Sequence, residues 1–184
     1  MKLYLLCGLA FSGKTTLAST LACRLPAAVV SLDAINAARG LDGGAGIPDA
    51  EWARTYQEAM VQVEKALQAG NSVIVDDTNC FRFLRDGYRS VADRCGADTT
   101  VIYMDAPLAL IQKRIRENEK ARSRTSITSS VLMDLVTKFE PPDADEGVLV
   151  VPADASPEVW LDQHIPSRGS PRISSGDGSE RRGR

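Results

Sequence analysis

Short apolar runs alternate with longer segments of helical periodicity along this chain of 184 residues. The apolar runs at 3–7, 29–32, 72–75, 99–105 and 148–151 predict buried parallel strands. Apolar residues at helical spacing predict helices near 15–25, 34–38, 50–69, 82–94, 108–116, 131–139 and 156–161. This alternation predicts a three-layer α/β domain around a five-stranded parallel sheet.

The most specific pattern joins the first predicted strand to the first helix. Residues 8–15 match the phosphate-binding pattern G-x-x-x-x-G-K-[ST] at each fixed position. Glycines let such a loop curl so that backbone N–H groups point at phosphate oxygens, and the following helix N-terminus favours an anion. We therefore predict a nucleoside triphosphate site, with Lys14 on the β- and γ-phosphates and Thr15 as a Mg²⁺ ligand. The predicted nucleotide-binding residues are Gly8, Ser12, Gly13, Lys14, Thr15 and Thr16.

A carboxylate follows the second predicted strand. Ligands of open α/β sheets bind beyond the carboxyl ends of the strands, so Asp33 is expected on the same rim as the loop. We interpret Asp33 as the group that accepts the proton of an attacking hydroxyl or orients that hydroxyl. The alternative, compatible with this role, is that Asp33 caps the short helix 34–38.

Two carboxylates follow the third predicted strand. P-loop enzymes place an acidic residue there that holds Mg²⁺ directly or through water. We assign that contact to Asp76 and an acceptor contact to Asp77, Thr78 and Asn79, while the reverse assignment of the two carboxylates stays open. A cap for the following helix is the structural alternative.

Positive charge is concentrated in two predicted helices. Arg85 lies on the first turns of helix 82–94 and is expected to face the acceptor. A charge run such as that of residues 113–124 is usually a solvated helix face, but phosphoryl transfer needs guanidinium groups on the developing charge. We therefore predict a small basic lid in which at least one of four arginines contacts phosphate. These are Arg114, Arg116, Arg122 and Arg124.

Composition limits the classes of function. The net charge of −2 and the sequence pI of about 5.5 give no global electrostatic case for nucleic-acid binding. No signal peptide or membrane-spanning run is evident, so a cytoplasmic location is expected and no membrane partner. The four cysteines lack metal-ligand spacing, with Cys7 and Cys23 expected in the core. The single histidine, His164, is expected on the surface, so any general base is a carboxylate or a water.

The chain divides into one domain and a tail. Residues 1–166 are predicted to form a single domain that contains the phosphate loop. From residue 167 to residue 184 the composition is dominated by Ser, Gly, Arg, Asp and Pro, which predicts a disordered tail.

Four segments together resemble a known family. They are residues 8–15, Ser31-Leu32-Asp33, residues 73–79, and the basic segment followed by Lys138-Phe139-Glu140-Pro141-Pro142. Over roughly residues 1–151 the chain resembles the small P-loop kinases grouped with polynucleotide kinases, chloramphenicol phosphotransferase and zeta-toxin-type enzymes.

The resemblance implies a sheet order and roles for individual residues. It implies the strand order 2-3-1-4-5, Asp33 as the base for the acceptor hydroxyl, and Asp77 as a residue that holds the acceptor. It assigns the lid arginine on the transferred phosphate to Arg114 or Arg122. Polynucleotide kinases carry an arginine three residues after the base, where this chain has Asn36. That departure leaves a small hydroxyl compound at least as favoured as a nucleic-acid end.

The predicted function is therefore transfer of the γ-phosphoryl group of ATP to a hydroxyl, with Mg²⁺. Two alternatives belong to other classes. A nucleotide-dependent switch or binding module would use the same loop without phosphotransfer, although the Asn-Lys-x-Asp motif of GTPases is missing. A nucleic-acid repair module would use the basic segment as a groove, with salt-sensitive binding to single strands. The sequence makes no prediction of oligomeric state.

Overall fold

The centre of the molecule is one five-stranded parallel sheet, seen in a computed structural model that describes residues 1–41, 46–122, 125 and 127–165. The strands are β1 (Lys2–Cys7), β2 (Ala27–Ser31), β3 (Ser72–Asp76), β4 (Asp98–Asp105) and β5 (Val148–Pro152). They lie in the order β2-β3-β1-β4-β5, and every neighbouring pair is parallel. The five-stranded α/β fold and the strand order implied by the resemblance are both confirmed.

Helices connect the strands in the crossovers that a parallel sheet requires. The helices are α1 (Lys14–Arg24), α2 (Leu32–Ala38), α3 (Asp49–Gln68), α4 (Arg82–Arg94), α5 (Leu108–Ala121), α6 (Ser129–Lys138) and α7 (Pro157–His164), with a 3₁₀ turn at Ala144–Glu146. In the part of the chain that is described, no helix combines the length and apolar character needed to cross a membrane.

Strand β1 shows why the domain has three layers. Its side chains alternate between the two faces of the sheet, and all but the first residue are buried. Leu3, Leu5 and Cys7 join the core beneath α3 and α4, whereas Tyr4 and Leu6 join the core beneath α1 and α7. Because both faces are covered by helices, the strand is a continuous apolar run rather than an alternating one.

A few local expectations are corrected. The second strand begins and ends earlier than predicted, and Leu32 is already helical because the Ser31 side chain accepts a hydrogen bond from the Ala34 amide and so caps α2. Cys23 is exposed rather than in the core. Residues 42–45, 123–124, 126 and 166–184 lie outside the described residues, and the predicted tail lies among them.

Candidate active site

The loop between β1 and α1 has the geometry of a phosphate cradle. Gly8 has φ 142°, and a Cβ there would lie 2.9 Å from the Met104 carbonyl oxygen, so only glycine fits. Gly13 has φ 113° and is the N-cap of α1. A glycine cap brings no side-chain acceptor to the first N–H groups of the helix, which have no partner within the helix. Two glycines therefore allow the curl that the sequence pattern predicts.

Two polar side chains of the loop are buried within it. Lys14 is 8% exposed, and its Nζ donates to the carbonyl oxygens of Gly8 at 2.9 Å and Leu9 at 2.7 Å. Ser12 is 2% exposed, and its Oγ has no hydrogen-bond partner among the described residues. A buried cation and an unsatisfied hydroxyl at the start of a helix without a side-chain cap fit a phosphate group, which accepts hydrogen bonds from both and from helix amides.

Arg114 reaches this loop from α5. Its Nη1 donates to the Phe11 carbonyl at 3.0 Å and to the Ser12 carbonyl at 2.7 Å. The side chains of Phe11, Ile111, Ile115 and Leu132 form a small apolar cluster that packs α5 and α6 against the loop. The lid therefore brings a guanidinium group to the edge of the predicted phosphate site.

The other basic residues of the lid are placed differently. Arg122 is exposed and ends α5 in the left-handed conformation, with φ 50°. Arg116 is exposed on the solvent face of the same helix. Arg124 lies outside the described residues. The structure thus brings one of the four predicted arginines to the loop, while the phosphate contact itself stays a prediction.

The carboxylates Asp76 and Asp77 lie where β3 ends. Asp76 is in register with Leu6 of β1 and Ser31 of β2. Asp77 Oδ2 accepts hydrogen bonds from the Tyr56 hydroxyl at 3.2 Å and from the Asn79 amide at 3.1 Å. Burial raises the pKa of Asp77, and the amide hydrogen bonds and the charge of Lys14 oppose that rise only in part.

Asp33 lies on the same rim, one strand away. It is exposed in the first turn of α2, and the N-cap of that helix is Ser31. The N-cap lies two residues before Asp33, so the alternative that Asp33 caps the helix is wrong. Because Ser31 pairs with Asp76, the start of α2 lies beside the end of β3. Strand order thus brings three carboxylates to the carboxyl edge of two neighbouring strands.

An acceptor contact was predicted for Asn79 and Arg85, and the structure contradicts it for both. Asn79 is fully buried, and its Nδ2 donates to the Leu6 carbonyl at 2.8 Å. Arg85 is also fully buried, and its guanidinium donates to both carboxylate oxygens of Glu146, at 2.7 and 2.8 Å. A buried guanidinium with these partners does not face an acceptor. Arg85 instead contacts the turn after β3 from inside the protein, where its Nη1 donates to the Asn79 carbonyl at 2.9 Å.

The oxygen donors on the rim fit Mg²⁺. Thr15 is exposed in the first turn of α1, and Asp76 ends the strand next to β1. Mg²⁺ is typically held by one or two such oxygens together with substrate phosphates and water, so a hydroxyl and a carboxylate suffice. The described residues contain no group of three or more His, Cys, Asp or Glu placed to hold a metal by themselves.

Several residues of the site have no signal in the sequence that points to their role. Tyr56 lies at helical spacing in a segment of apolar periodicity, yet its hydroxyl donates to Asp77. Glu146 and Glu140 lie in a segment without recognisable periodicity. Their partners are known only from the fold.

Fold and loop together define a P-loop nucleotide-binding protein with the architecture of the small kinases. The chain belongs to the AAA domain family, which matches residues 3–142. Over 97 residues it is 32% identical to an L-seryl-tRNA(Sec) kinase of Methanococcus maripaludis, a match that covers 50% of this chain and 36% of that protein. The chain therefore matches little more than a third of the curated relative.

Solved structures show the same fold. Kti12 of Chaetomium thermophilum, in complex with ADP-AlF3, superposes with a TM-score of 0.70 at 17% identity, over 88% of this chain and 94% of that one. A sugar kinase from Janibacter sp. gives 0.66 at 20% identity, over 89% and 91%. The APS kinase CysC of Mycobacterium tuberculosis, in complex with AMPPNP and APS, gives 0.63 at 19%, over 88% and 94%. The chain thus has the fold of P-loop kinases, and the narrower polynucleotide kinase and zeta-toxin group is not distinguished within it.

Proposed function

We propose that this protein is an ATP-dependent kinase that transfers the γ-phosphoryl group of ATP to a hydroxyl of a small molecule. The proposal depends on one observation: phosphate-binding groups and carboxylates lie along the same edge of the sheet. A phosphate cradle with Lys14 and Arg114 lies on one side, and the carboxylates that follow β2 and β3 lie on the other. Phosphoryl transfer needs both, because catalysis consists largely of positioning and electrostatic stabilisation.

On the donor side, the loop amides, Lys14 and Ser12 would bind the β- and γ-phosphates. Arg114 would move from its loop carbonyls to the transferred phosphoryl group, whose charge spreads over its peripheral oxygens. Thr15 and Asp76 would hold Mg²⁺, which neutralises the phosphate charge when bound. Closure of the lid over the phosphates would exclude water that could otherwise compete as the acceptor.

On the acceptor side, Asp33 would accept the proton of the attacking hydroxyl. Its exposed position on the first turn of α2 leaves the carboxylate accessible to a substrate. Asp77 and Thr78 would hold the acceptor, with the Tyr56 hydroxyl orienting the Asp77 carboxylate. The assignment of Asp77 to the acceptor rather than to Mg²⁺ remains part of the proposal.

The polar groups near α2 favour an acceptor that carries no phosphate where it would contact this helix. Asn36 is 3% exposed, and its Oδ1 accepts a hydrogen bond from the Thr55 hydroxyl at 2.6 Å. The next arginine along, Arg39, is paired with the Glu51 carboxylate and donates to Thr55. Both groups that could meet an anionic acceptor from α2 are thus engaged within the protein. This supports a small hydroxyl compound over a nucleic-acid end.

A second acceptor has one specific observation behind it. The curated relative is named a kinase of L-seryl-tRNA(Sec), whose acceptor is also an alcohol. The match covers only 36% of that protein, so a tRNA-bound serine belongs among the acceptors to be tested.

The test measures ATP consumption and product formation with Mg²⁺ against a panel of acceptors. The panel holds sugars and sugar acids, nucleosides, hydroxylated antibiotics, 5′-OH oligonucleotides and seryl-tRNA, with Lys14→Ala as the blank. Acceptor-dependent phosphorylation that is lost in the blank is the expected result. ATP binding without transfer to any acceptor would favour the nucleotide-dependent switch instead. Tight, salt-sensitive binding of single strands would favour a nucleic-acid substrate.

A further inference from the structure

Arg85 is the centre of a buried network that joins three distant parts of the chain. Its Nε and Nη2 donate to the two carboxylate oxygens of Glu146, and Arg85 and Glu146 side chains are 1% and 0% exposed. Its Nη1 donates to the Asn79 carbonyl at 2.9 Å and to the Glu140 carbonyl at 3.0 Å. A single guanidinium therefore holds the turn after β3 and the segment after α6.

Hydrogen bonds join the turn after β3 to the phosphate loop and to the end of β1. The Gly8 amide donates to the Thr78 carbonyl at 3.1 Å, and Asn79 Nδ2 donates to the Leu6 carbonyl at the end of β1. Asn79 itself has a φ of 44°, a left-handed conformation that needs support from its surroundings. The carbonyl that Arg85 holds belongs to this strained residue.

Glu140 attaches the end of α6 to the same turn. Its amide donates to the Cys80 carbonyl at 2.8 Å, and its carboxylate accepts from the Arg82 amide at the start of α4, at 2.6 Å. Glu140 follows α6 by only two residues. The segment after α6 and the turn after β3 are thus held by the same side chain, Arg85.

Glu146 is held as a carboxylate in this network. Burial alone would raise its pKa, but the hydrogen bonds from Arg85 and from the Asp143 amide outweigh burial and bring the pKa to about 2. The ion pair is therefore fully charged at neutral pH. The ion pair fixes the Arg85 guanidinium in the orientation in which its Nη1 donates to the two carbonyls.

We propose that Arg85 is a positioning residue: it holds the Asp77–Asn79 turn against the phosphate loop, so that acceptor-side and donor-side groups keep their relative geometry. The proposal rests on the proposed kinase function for its effect on transfer. Its structural half stands independently, because it concerns hydrogen bonds of the ligand-free chain. Misplacing reacting groups by about 1 Å can lower a rate by about 10²-fold, so a small displacement of the turn matters.

The test separates positioning from stability with two variants. Arg85→Lys keeps a charge for Glu146 but lacks the planar fork that serves Glu146 and both carbonyls together. The double variant Arg85→Met with Glu146→Leu removes both charges, a change that is often neutral for stability when a buried ion pair is replaced by apolar side chains. Arg94→Met is the matched control, because Arg94 ends the same helix and makes an exposed pair with Glu64.

Two readouts are compared in all variants after thermal unfolding has shown that they are folded. Hydrogen exchange is measured at the amides of Gly8 and Asn79, and kcat and KM for ATP are measured with the best acceptor. We expect faster exchange at both amides and a kcat about 10²-fold lower in the double variant, with KM for ATP changed far less. Arg85→Lys should recover part of the kcat, and Arg94→Met should match the wild type.

Wild-type exchange and wild-type kcat in the folded double variant would overturn the proposal, since the ion pair would then serve stability alone. Wild-type protein that transfers phosphate to no acceptor would instead contradict the proposed function. In that case the exchange measurement still decides whether Arg85 holds the turn.

Discussion

The proposed donor side and the proposed acceptor side of the site are held in place by different contacts. On the donor side, one continuous segment, residues 8–15, forms the predicted phosphate cradle largely through its own backbone. Its long-range side-chain contacts described above come from Arg114 and from the apolar cluster that joins Phe11 to α5 and α6. On the acceptor side, Asp77 and its turn are held by side chains from three other segments. These are Tyr56 of α3, Arg85 of α4 and, through Arg85, Glu146 before β5.

The difference has a physical consequence. Triphosphate is the same in every donor, so a cradle made of backbone amides and glycines can be built from one short stretch. An acceptor hydroxyl must be placed against that cradle within a fraction of an ångström, and the acceptor differs from one kinase to another. In this chain the donor loop is one short stretch, whereas the position of the proposed acceptor turn depends on support from separate segments.

The strongest test of the acceptor side is Asp33→Asn. We expect phosphoryl transfer to fall by about 10²–10⁴-fold, the usual contribution of a general base, with ATP affinity retained. Steady-state kinetics and equilibrium ATP binding measure the two effects. Asp98→Asn is the control, because Asp98 is exposed at the opposite end of the sheet. Unchanged turnover in Asp33→Asn would remove Asp33 from the mechanism.

The stability of the acceptor side should depend on Glu146. We expect Glu146→Gln to lower the free energy of unfolding at pH 7 by roughly 3–5 kcal/mol, because Arg85 would keep its buried charge without a charged partner. Glu64→Gln, which breaks the exposed pair with Arg94, should cost less than about 1 kcal/mol. Urea unfolding of both variants measures these differences.

The same variant should show a defined dependence on pH. The pKa of Glu146 is lowered from 4.5 to about 2 in the fold, with Arg85, Arg89 and the Asp143 amide around the carboxylate. The unfolded chain therefore binds the proton more readily, and the stabilisation is complete above pH 4.5 and lost as the pH falls towards 2. The gap between wild type and Glu146→Gln should narrow over that window. A gap that stays constant down to the lowest measurable pH would contradict the ion-pair account.

On the donor side, the sharpest variant is Arg114→Met. We expect kcat/KM for transfer to fall by about 10²-fold, because one preorganised charge on the transferred group is lost. Lys113→Met is the control, since Lys113 is exposed on the same helix and pairs at 3.8 Å with Glu117. Equal activity of the two variants would show that the guanidinium only packs against the loop carbonyls.

The smallest expected effect concerns the helix that carries Asp33. Ser31→Ala removes the N-cap of α2 and should lower the free energy of unfolding by about 1 kcal/mol. Thr128→Ala removes the equivalent cap of α6 and should cost a similar amount. Thermal unfolding compares the two, and transfer kinetics should show a higher KM for the acceptor in Ser31→Ala alone. An acceptor KM raised equally in both would mean that general loosening, rather than the position of α2, sets acceptor binding.

Much of the donor side could be predicted from the sequence, because its determinants are local. Strand, glycine loop and helix follow one another within 24 residues, and the fixed glycines and Lys14 report the backbone geometry directly. Arg85 could not be assigned in this way. Arg85 is a basic residue on the first turns of the helix that follows β3. Its local sequence pattern is the same whether it faces a substrate or a buried carboxylate. Only the position of Glu146, 61 residues further along, distinguishes the two.

The sequence by itself determined the alternation of strands and helices, the phosphate loop, and the placement of carboxylates at strand ends, because periodicity and backbone chemistry act over short distances. The tertiary structure alone decided which side chains those elements bring together. It brings Arg114 to the loop carbonyls, the Tyr56 hydroxyl to Asp77, and Arg85 to Glu146 and the Asn79 turn. These contacts depend on how the crossovers stack on the sheet, and that stacking is set by the packing of the whole core.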